Sequence, residues 1–379
     1  MTSFAITIWA WEITGQATPL SLILFFSRTP RVIAAFFAGV FVDLLSRKQL
    51  MMIGDTVAGL STLAILLLFW SNHLEIWHLY ITAIINGLFG YFQSLAFSAS
   101  MSMIVPKQHY ARATAMGSLK GAGANIFAPA LAGALYYMIG LTGILIIDIA
   151  TFFVAVSTIW IVQIPQPTKS EVDSPRSRSR WQQLTFGFRY IFERPSLVAI
   201  LIFLLSTNLV GTVCAGIYAP MILARSGNNA AVFASVQSAV GVGGFVGAMT
   251  LSIWGGPKPR IHGLLFSAIL EGSSKMILGL GRVASLWMTA GFLTAFFSPL
   301  RGSSNQAIWL SKVEPDVQGR VFASRFLIAQ ITSPIGLAVA GPLADYVFEP
   351  AMQPSGMLAG VVGGVFGTGE GSGMSVQYT

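Results

Sequence analysis

The stretch that decides the fold is GVFVDLLSRK, residues 39–48. A long apolar run ends here in Asp43, and the cationic pair Arg47 and Lys48 follows directly. A helix needs about 20 apolar residues to cross a bilayer, and this run starts near residue 20. The stretch therefore predicts the polar end of a transmembrane helix. Its charges are either a solvated helix end, with Asp43 screened by Arg47 one turn later, or a cluster with a function.

The composition extends this interpretation to the whole chain. Of 379 residues, 54% are hydrophobic and 9% are charged, and the mean hydropathy is +0.71. Soluble domains carry about 25% charged residues, so most of this surface must face lipid. We expect an all-α, multi-pass membrane protein. The net charge of +8 indicates cytoplasmic loops near anionic lipid rather than nucleic-acid binding.

Long apolar segments predict ten complete spans and two partial ones. The partial spans, at 3–13 and from about 357 onward, suggest twelve helices of which the first and last are incomplete. A polar, proline- and serine-containing segment between the fifth and sixth complete spans reads as a cytoplasmic linker, with a surface helix over 181–192. The complete spans lie near 20–45, 49–71, 77–101, 113–139, 141–163, 196–224, 230–254, 261–281, 285–310 and 321–347.

The linker divides the chain into a first bundle at 1–163, a central loop at 164–195 and a second bundle at 196–379. Several residues of the first bundle recur in the second at a constant offset of 208. This repetition predicts two parallel-related six-helix bundles, as in secondary transporters that hold their substrate between the repeats near the midplane. The matched pairs are Gly39 and Gly247, Arg112 and Arg320, and Gly133 and Gly341.

Basic residues concentrate in alternate loops, whereas the other loops hold only Arg225 and Arg282. Positive residues remain on the cytoplasmic side of a membrane, so we expect both termini to be cytoplasmic in a plasma (inner) membrane. The basic residues of the predicted cytoplasmic loops are Arg47, Lys48, Lys107, Arg112, Lys169, Arg176, Arg178, Arg180, Arg189, Arg194, Lys258, Arg260, Lys312 and Arg320.

The residue pattern supports neither a cofactor site nor an enzyme active site. The single cysteine, Cys214, excludes a disulfide framework within the chain, and the four histidines lack metal-ligand spacing. The glycine-rich run at 241–247 follows no strand, so Gly243 and Gly247 are better explained as small residues that let helices approach closely. We expect no cofactor, no metal site and no catalytic residues.

At the opening stretch the chain resembles the major facilitator superfamily, which carries Gly-x-Leu-x-Asp-Arg-x-Gly-Arg-Lys between its second and third helices. Gly39, Asp43, Arg47 and Lys48 match that pattern. A degenerate copy at 247–260 keeps the glycine and the bases but has no acid. The resemblance implies a gating motif that holds the cytoplasmic side shut in one state. Its candidate residues are Gly39, Asp43, Arg47, Lys48, Arg112, Gly247, Lys258, Arg260 and Arg320.

Two further stretches resemble the exporters of that superfamily. APALAG at 128–133 is similar to the exporter signature of the fifth helix and keeps Pro129 and Gly133, while EPDVQGRVFA at 314–323 resembles the macrolide-efflux-like branch. In this family the first, fourth, seventh and tenth helices line the cavity. The resemblance thus implies candidate cavity residues, which are Trp11, Phe92, Gln93, Asn208, Phe296 and Arg301.

Ionisable residues inside predicted spans are costly and need partners or a function. Arg28 and Arg31 lie within the second helix, and Asp148 lies at a similar depth in the sixth. These three form either a structural ion pair or a proton-exchanging site at Asp148. Glu271 and Lys275, one turn apart, are expected to neutralise each other.

These features predict a proton-coupled exporter of hydrophobic or amphipathic small molecules that works by alternating access. The alternatives are a proton-coupled importer, an inactive fragment of such a transporter, and a membrane-embedded enzyme, although no cluster of catalytic side chains supports the last. The expected partners are a small-molecule substrate, protons and membrane lipid, and we expect a monomer.

Overall fold

The computed structural model describes residues 1–44, 46–106, 109–161 and 180–379, and within these ranges the chain is helical and has no strand. The helices are α1 (Thr2–Thr14), α2 (Ala17–Leu44), α3 (Arg47–Trp70), α4 (Ile76–Ile104), α5 (Tyr110–Ile161), α6 (Arg180–Phe192), α7 (Pro195–Arg225), α8 (Ala230–Trp254), α9 (Arg260–Leu280), α10 (Ala284–Lys312), α11 (Gln318–Gln330), α12 (Thr332–Leu343), α13 (Glu349–Met352), α14 (Ala359–Phe366) and α15 (Ser372–Tyr378). A short π-helix, Ala344–Phe348, joins α12 to α13.

The apolar runs place the helix boundaries close to where the sequence predicts them. The 52 residues of α5 contain two predicted spans, and Gly140 separates them with a φ of 63° and a ψ of −169°. A side chain disfavours this backbone conformation, so glycine permits the reversal between the two spans. The predicted span at 321–347 lies within one continuous helical segment, Gln318–Met352, which runs through α11, α12, the π-helix and α13.

The surface of the bundle is apolar, as expected for a chain that faces lipid. Seven helical segments of the described residues are long and apolar enough to cross a membrane. Large apolar side chains such as Tyr137 (92% exposed) and Trp160 (71% exposed) project outward. The protein is therefore an all-α, multi-pass membrane protein.

The helices before residue 162 are called the first half and those after residue 179 the second half. Within the first half α4 packs on α2 and α3, and within the second α10 packs on α8 and α9. The main contacts between the halves join α5 to α8 and α2 to both α7 and α12. The end of the bundle that carries Arg47, Lys258 and Arg320 is called the basic end, and the end that carries Arg225 and Arg282 the opposite end.

Helix α6 confirms the surface helix predicted over 181–192. Its buried side chains, Tyr190 and Ile191, join an apolar cluster with residues of α7, α10 and α11 at the basic end. The exposed Arg189 donates to Glu193 at 2.6 Å, and this contact raises the pKa of Arg189. The linker helix is thus docked on the second half.

Candidate functional site

The two halves meet at the opposite end through polar and aromatic contacts. Trp11 Nε1 of α1 donates a hydrogen bond to Asn228 Oδ1, which follows α7, at 2.6 Å. The rings of Phe4 and Phe233 stack across the same boundary with centroids 4.9 Å apart. Trp11, a predicted cavity residue, is buried and takes part in this contact between the halves.

A carboxylate of the second half caps a helix of the first half at the same end. Asp345, in the π-helix, accepts hydrogen bonds from the backbone N–H groups of Ala17 and Thr18 at 2.9 and 2.8 Å. The hydroxyl of Thr18 donates to the same carboxylate at 2.5 Å. The first N–H groups of a helix have no partner within the helix, so Asp345 satisfies two donors at the start of α2. Sequence patterns did not identify this residue.

The contact between α5 and α8 depends on small residues. A β-carbon added to Gly133, a residue of the exporter-like motif, would overlap Ala234 of α8. Nearby, Ser238 Oγ donates to the carbonyl of Ile126 at 3.1 Å. Pro129 lies inside α5 one turn before Gly133. The motif therefore lies where α5 crosses the second half.

Two further predicted cavity residues are engaged within their own half. Gln93 Nε2 donates to Asp55 Oδ1 of α3 at 2.6 Å, a contact that the sequence did not reveal. Phe92 is buried in an apolar cluster with Ala34, Leu50 and Ala96. These contacts hold α4 against α2 and α3, and a role of Phe92 and Gln93 in substrate binding stays a prediction.

The second half contains a buried charge cluster in which Glu271 of α9 holds two cations. Lys275 Nζ lies 2.8 Å from Glu271 Oε1, which confirms the predicted pair. Arg301 Nε of α10 lies 2.8 Å from Glu271 Oε2. Side-chain exposures of 9% for Glu271, 21% for Lys275 and 24% for Arg301 show that this charge triad is largely removed from solvent. Arg301, predicted for the cavity, is thus already paired with a carboxylate.

The other candidate cavity residues of the second half are half-buried. Asn208 lies on α7, and its backbone carbonyl accepts a hydrogen bond from Thr212 Oγ1 at 2.5 Å. The ring of Phe296 on α10 stacks on Phe292 with centroids 6.0 Å apart. Their contact with substrate stays a prediction.

The intramembrane aspartate has a hydroxyl partner. Thr62 Oγ1 of α3 donates to Asp148 Oδ2 at 2.7 Å. The ion pairs found among the described residues do not join Asp148 to Arg28 or Arg31, both of which are exposed in this conformation. The predicted ion pair is therefore not formed here, and a proton-exchanging role of Asp148 stays a prediction.

At the basic end, several gating candidates contact helix ends or rings. Lys48 Nζ donates to the carbonyl of Trp160, near the end of α5, at 2.8 Å. Arg260 Nη1 donates to the carbonyl of Gly255, just past α8, at 2.5 Å. The guanidinium of Arg320 lies 4.2 Å from the ring centroid of Phe186 on α6. The first two contacts place positive charge near the C-termini of α5 and α8, where the helix dipole stabilises it. The third places a cation over an aromatic ring of the docked linker helix.

The rest of the gating motif is described only in part. Arg47 begins α3, and Lys258 lies exposed between α8 and α9. A β-carbon on Gly247 would overlap the carbonyl oxygen of Phe296, so α8 and α10 approach closely as the Gly243–Gly247 spacing predicts. The surroundings of Gly39 and the side chains of Asp43 and Arg112 lie outside what the structure describes. No cluster of three or more potential metal ligands occurs in the part of the chain that the structure describes.

The family sequence model described as Major Facilitator Superfamily matches residues 1–336 of this chain. The chain belongs to the major facilitator superfamily. It is 24% identical to macrolide efflux protein A of Streptococcus pyogenes over 353 residues, which cover 90% of this chain and 85% of the relative. It is 22% identical to the multidrug efflux pump Tap of Mycolicibacterium fortuitum over 346 residues, covering 87% of this chain and 82% of Tap.

Solved structures of this superfamily share the fold. A bacterial homologue of the human lysosomal transporter Spinster, in an inward-facing and unoccupied conformation, aligns with a TM-score of 0.69 and 14% identity, covering 100% of this chain and 89% of that one. A variant of the nucleoside transporter NupG aligns with a TM-score of 0.66 and 12% identity, covering 100% and 94%. This major facilitator protein is therefore a membrane transporter of small molecules and not an enzyme.

Proposed function

We propose that this transporter exports hydrophobic or amphipathic small molecules across the plasma membrane in exchange for protons. The observation that carries the proposal is the contact between the halves at the opposite end, which joins helices of both halves through hydrogen bonds and close glycine contacts. Such contacts can separate without unfolding either half. Separation and closure at alternate ends is the motion by which repeat-built transporters expose a central site to each side.

The orientation and the relatives support export from the cytoplasm. The basic end faces the cytoplasm under the positive-inside rule, and a cytoplasmic position of both termini stays a prediction. The bundles of this proposal are residues 1–163 and 196–379, and the loop at 164–195 connects them on the cytoplasmic side. The two sequence relatives described above are named for efflux, and APALAG at 128–133 resembles the exporter signature.

Asp148 is the proposed proton carrier. Its partner Thr62 is neutral, so protonation of the carboxylate breaks no ion pair among the described residues. By contrast, the carboxylate of Glu271 holds two cations, so protonating it would break two ion pairs. We therefore assign proton exchange to Asp148 and a structural role to Glu271.

The test is transport in inside-out vesicles from a bacterial host that lacks its main drug exporters. An acid-inside gradient should drive accumulation of a labelled macrolide, and dissipating the gradient should abolish it. Accumulation in right-side-out vesicles with acid outside would instead support the importer alternative. Accumulation no greater than in vesicles without the protein would contradict transport of this substrate class. Asp148→Asn should abolish the dependence on the pH gradient, and retained dependence would rule out its proton role.

A matched pair of variants ties this transport to the helix crossing. Gly133→Val should slow export because the new side chain overlaps Ala234 and forces α5 away from α8. Gly121→Val, on the same helix, points to open space and should transport normally. Equal rates for the two variants would show that the α5–α8 contact does not matter for export.

A further inference from the structure

The carboxylate of Asp345 contacts Ala17 and Thr18, which lie 328 and 327 positions earlier in the chain. It accepts three hydrogen bonds from two successive residues at the start of α2, namely the N–H groups of Ala17 and Thr18 and the Thr18 hydroxyl. An N-cap side chain usually belongs to the helix it caps. Here a residue of the second half caps a helix of the first half, so the cap exists only while the halves are together.

A second contact shows that the fit between these helices is close. Gly341, one turn before Asp345 on α12, lies against Thr18 and Ser21, and a β-carbon at this position would overlap both. The glycine lets α12 approach the first turn of α2. This approach brings the carboxylate within hydrogen-bond distance of the N–H groups.

The chemistry of the contact makes it both strong and reversible. A carboxylate at a helix N-terminus is stabilised by the helix dipole and by charge-assisted hydrogen bonds. The start of α2 and Asp345 lie at the end of the bundle, where water can hydrate both groups after they separate. An asparagine in place of Asp345 has no charge, and an NH2 donor replaces one of its two acceptor oxygens. That donor would face the N–H groups of Ala17 and Thr18.

We propose that Asp345 is a positioning residue of the transport cycle, a latch that keeps the opposite end closed until α2 is released. The latch rests on the proposed alternating-access function. When the opposite end opens, Asp345 must leave Ala17 and Thr18, so the strength of this cap sets the ratio of open to closed molecules at that end. Trp11 and Asn228 add a neutral hydrogen bond to the same closure.

The test measures the distance between the halves directly. Spin labels on cysteines introduced at His73 and Val283, which are exposed and lie in the first and second half at the opposite end, report the separation by pulsed electron resonance in lipid nanodiscs. The background carries Cys214→Ser, since Cys214 is the single cysteine of the chain. Asp345→Asn should raise the ratio of long to short distances about tenfold.

Two variants separate the latch from a general effect of charge or stability. Glu349→Gln neutralises a neighbouring carboxylate that caps α15 within the second half, where Met374 N donates to Glu349 Oε1 at 2.8 Å, and it should leave the distances unchanged. Thr18→Val removes one donor and keeps the backbone donors, so it should give a smaller shift than Asp345→Asn.

The outcomes are decisive in both directions. An unchanged distance distribution in Asp345→Asn, or an equal shift in Glu349→Gln, would overturn the latch. If Asp345→Asn fails to yield folded protein, Thr18→Val decides, and an unchanged ratio in that variant overturns the proposal. Because distances are recorded without substrate or gradient, a failed latch with intact export leaves the proposed function standing. A shifted ratio without export would instead count against the proposed function alone.

Discussion

Removing the charge of Glu271 should destabilise the protein more than any other single neutralisation within the charge triad. The wild-type triad has two cations and one carboxylate, a net charge of +1. Glu271→Gln keeps the size and shape of the side chain but leaves Lys275 and Arg301 facing each other without an anion. The triad then carries +2 in a largely buried position between α9 and α10.

The size of the effect follows from the distances. Each ion contact spans 2.8 Å, which corresponds to about 6 kcal/mol of attraction at an effective dielectric constant of about 20. The desolvation of the three groups offsets much of this attraction. Removing one member of a buried ion pair costs about 3–5 kcal/mol because the partner is left uncompensated. We therefore expect Glu271→Gln to lower the melting temperature by at least about 6 °C, at about 2 °C per kcal/mol.

Cys214 supplies the assay, because it is the single cysteine of the chain and is buried. A thiol-reactive dye therefore becomes fluorescent as the detergent-solubilised protein unfolds. Lys275→Gln leaves Arg301 paired with Glu271 and should cost less than Glu271→Gln. The double variant Glu271→Gln/Lys275→Gln restores the net charge of the triad to +1 and should be more stable than Glu271→Gln alone.

The matched control is Glu370→Gln, which neutralises an exposed carboxylate and should leave the melting temperature within about 1 °C of wild type. A shift for Glu271→Gln no larger than that of Glu370→Gln would refute the idea that the triad is held by charge. A double variant no more stable than Glu271→Gln would show that net charge is not the relevant quantity.

Two further variants test contacts within the second half and at its linker. Gly247→Leu should reduce the yield of folded protein because its β-carbon overlaps the Phe296 carbonyl. Gly244→Leu, on the same helix, has ordinary contact distances and should be tolerated. Size-exclusion chromatography measures the yield of folded protein for both variants. Arg320→Gln removes the cation above the Phe186 ring, an interaction of about 1 kcal/mol, and should speed hydrogen exchange in α6 about fivefold. Equal yields for the two glycine variants, or unchanged exchange in α6, would contradict these predictions.

Helix positions could be predicted from the sequence because they depend on local properties. The thickness of a bilayer fixes the length of an apolar run, and charged or glycine residues mark its ends. The predicted boundary between 139 and 141 coincides with Gly140, whose positive φ ends one span and starts the next. The surface helix at 181–192 was predicted from its composition alone and is confirmed by α6.

The polar contacts could not be predicted in the same way, since they join residues that are far apart in the chain. The pair of Glu271 and Lys275 has the spacing of one helical turn and was predicted, but Arg301 comes from the next helix and carries no such spacing. Asp345 follows an apolar run in an ordinary helical context, and only the position of α2 reveals its role. The same holds for Gln93, whose partner Asp55 lies on a neighbouring helix.

The two crossings between the halves are alike in packing and different in charge. Gly133 and Gly341, which are related by the offset of 208, both lie where a helix of one half crosses a helix of the other, against Ala234 and Thr18 respectively. Asp345, however, corresponds to Tyr137, which is 92% exposed. The α5–α8 crossing therefore depends on close packing, along which helices can slide. The α2–α12 crossing adds a charge-assisted cap that must break completely, so opening at the opposite end should be controlled there.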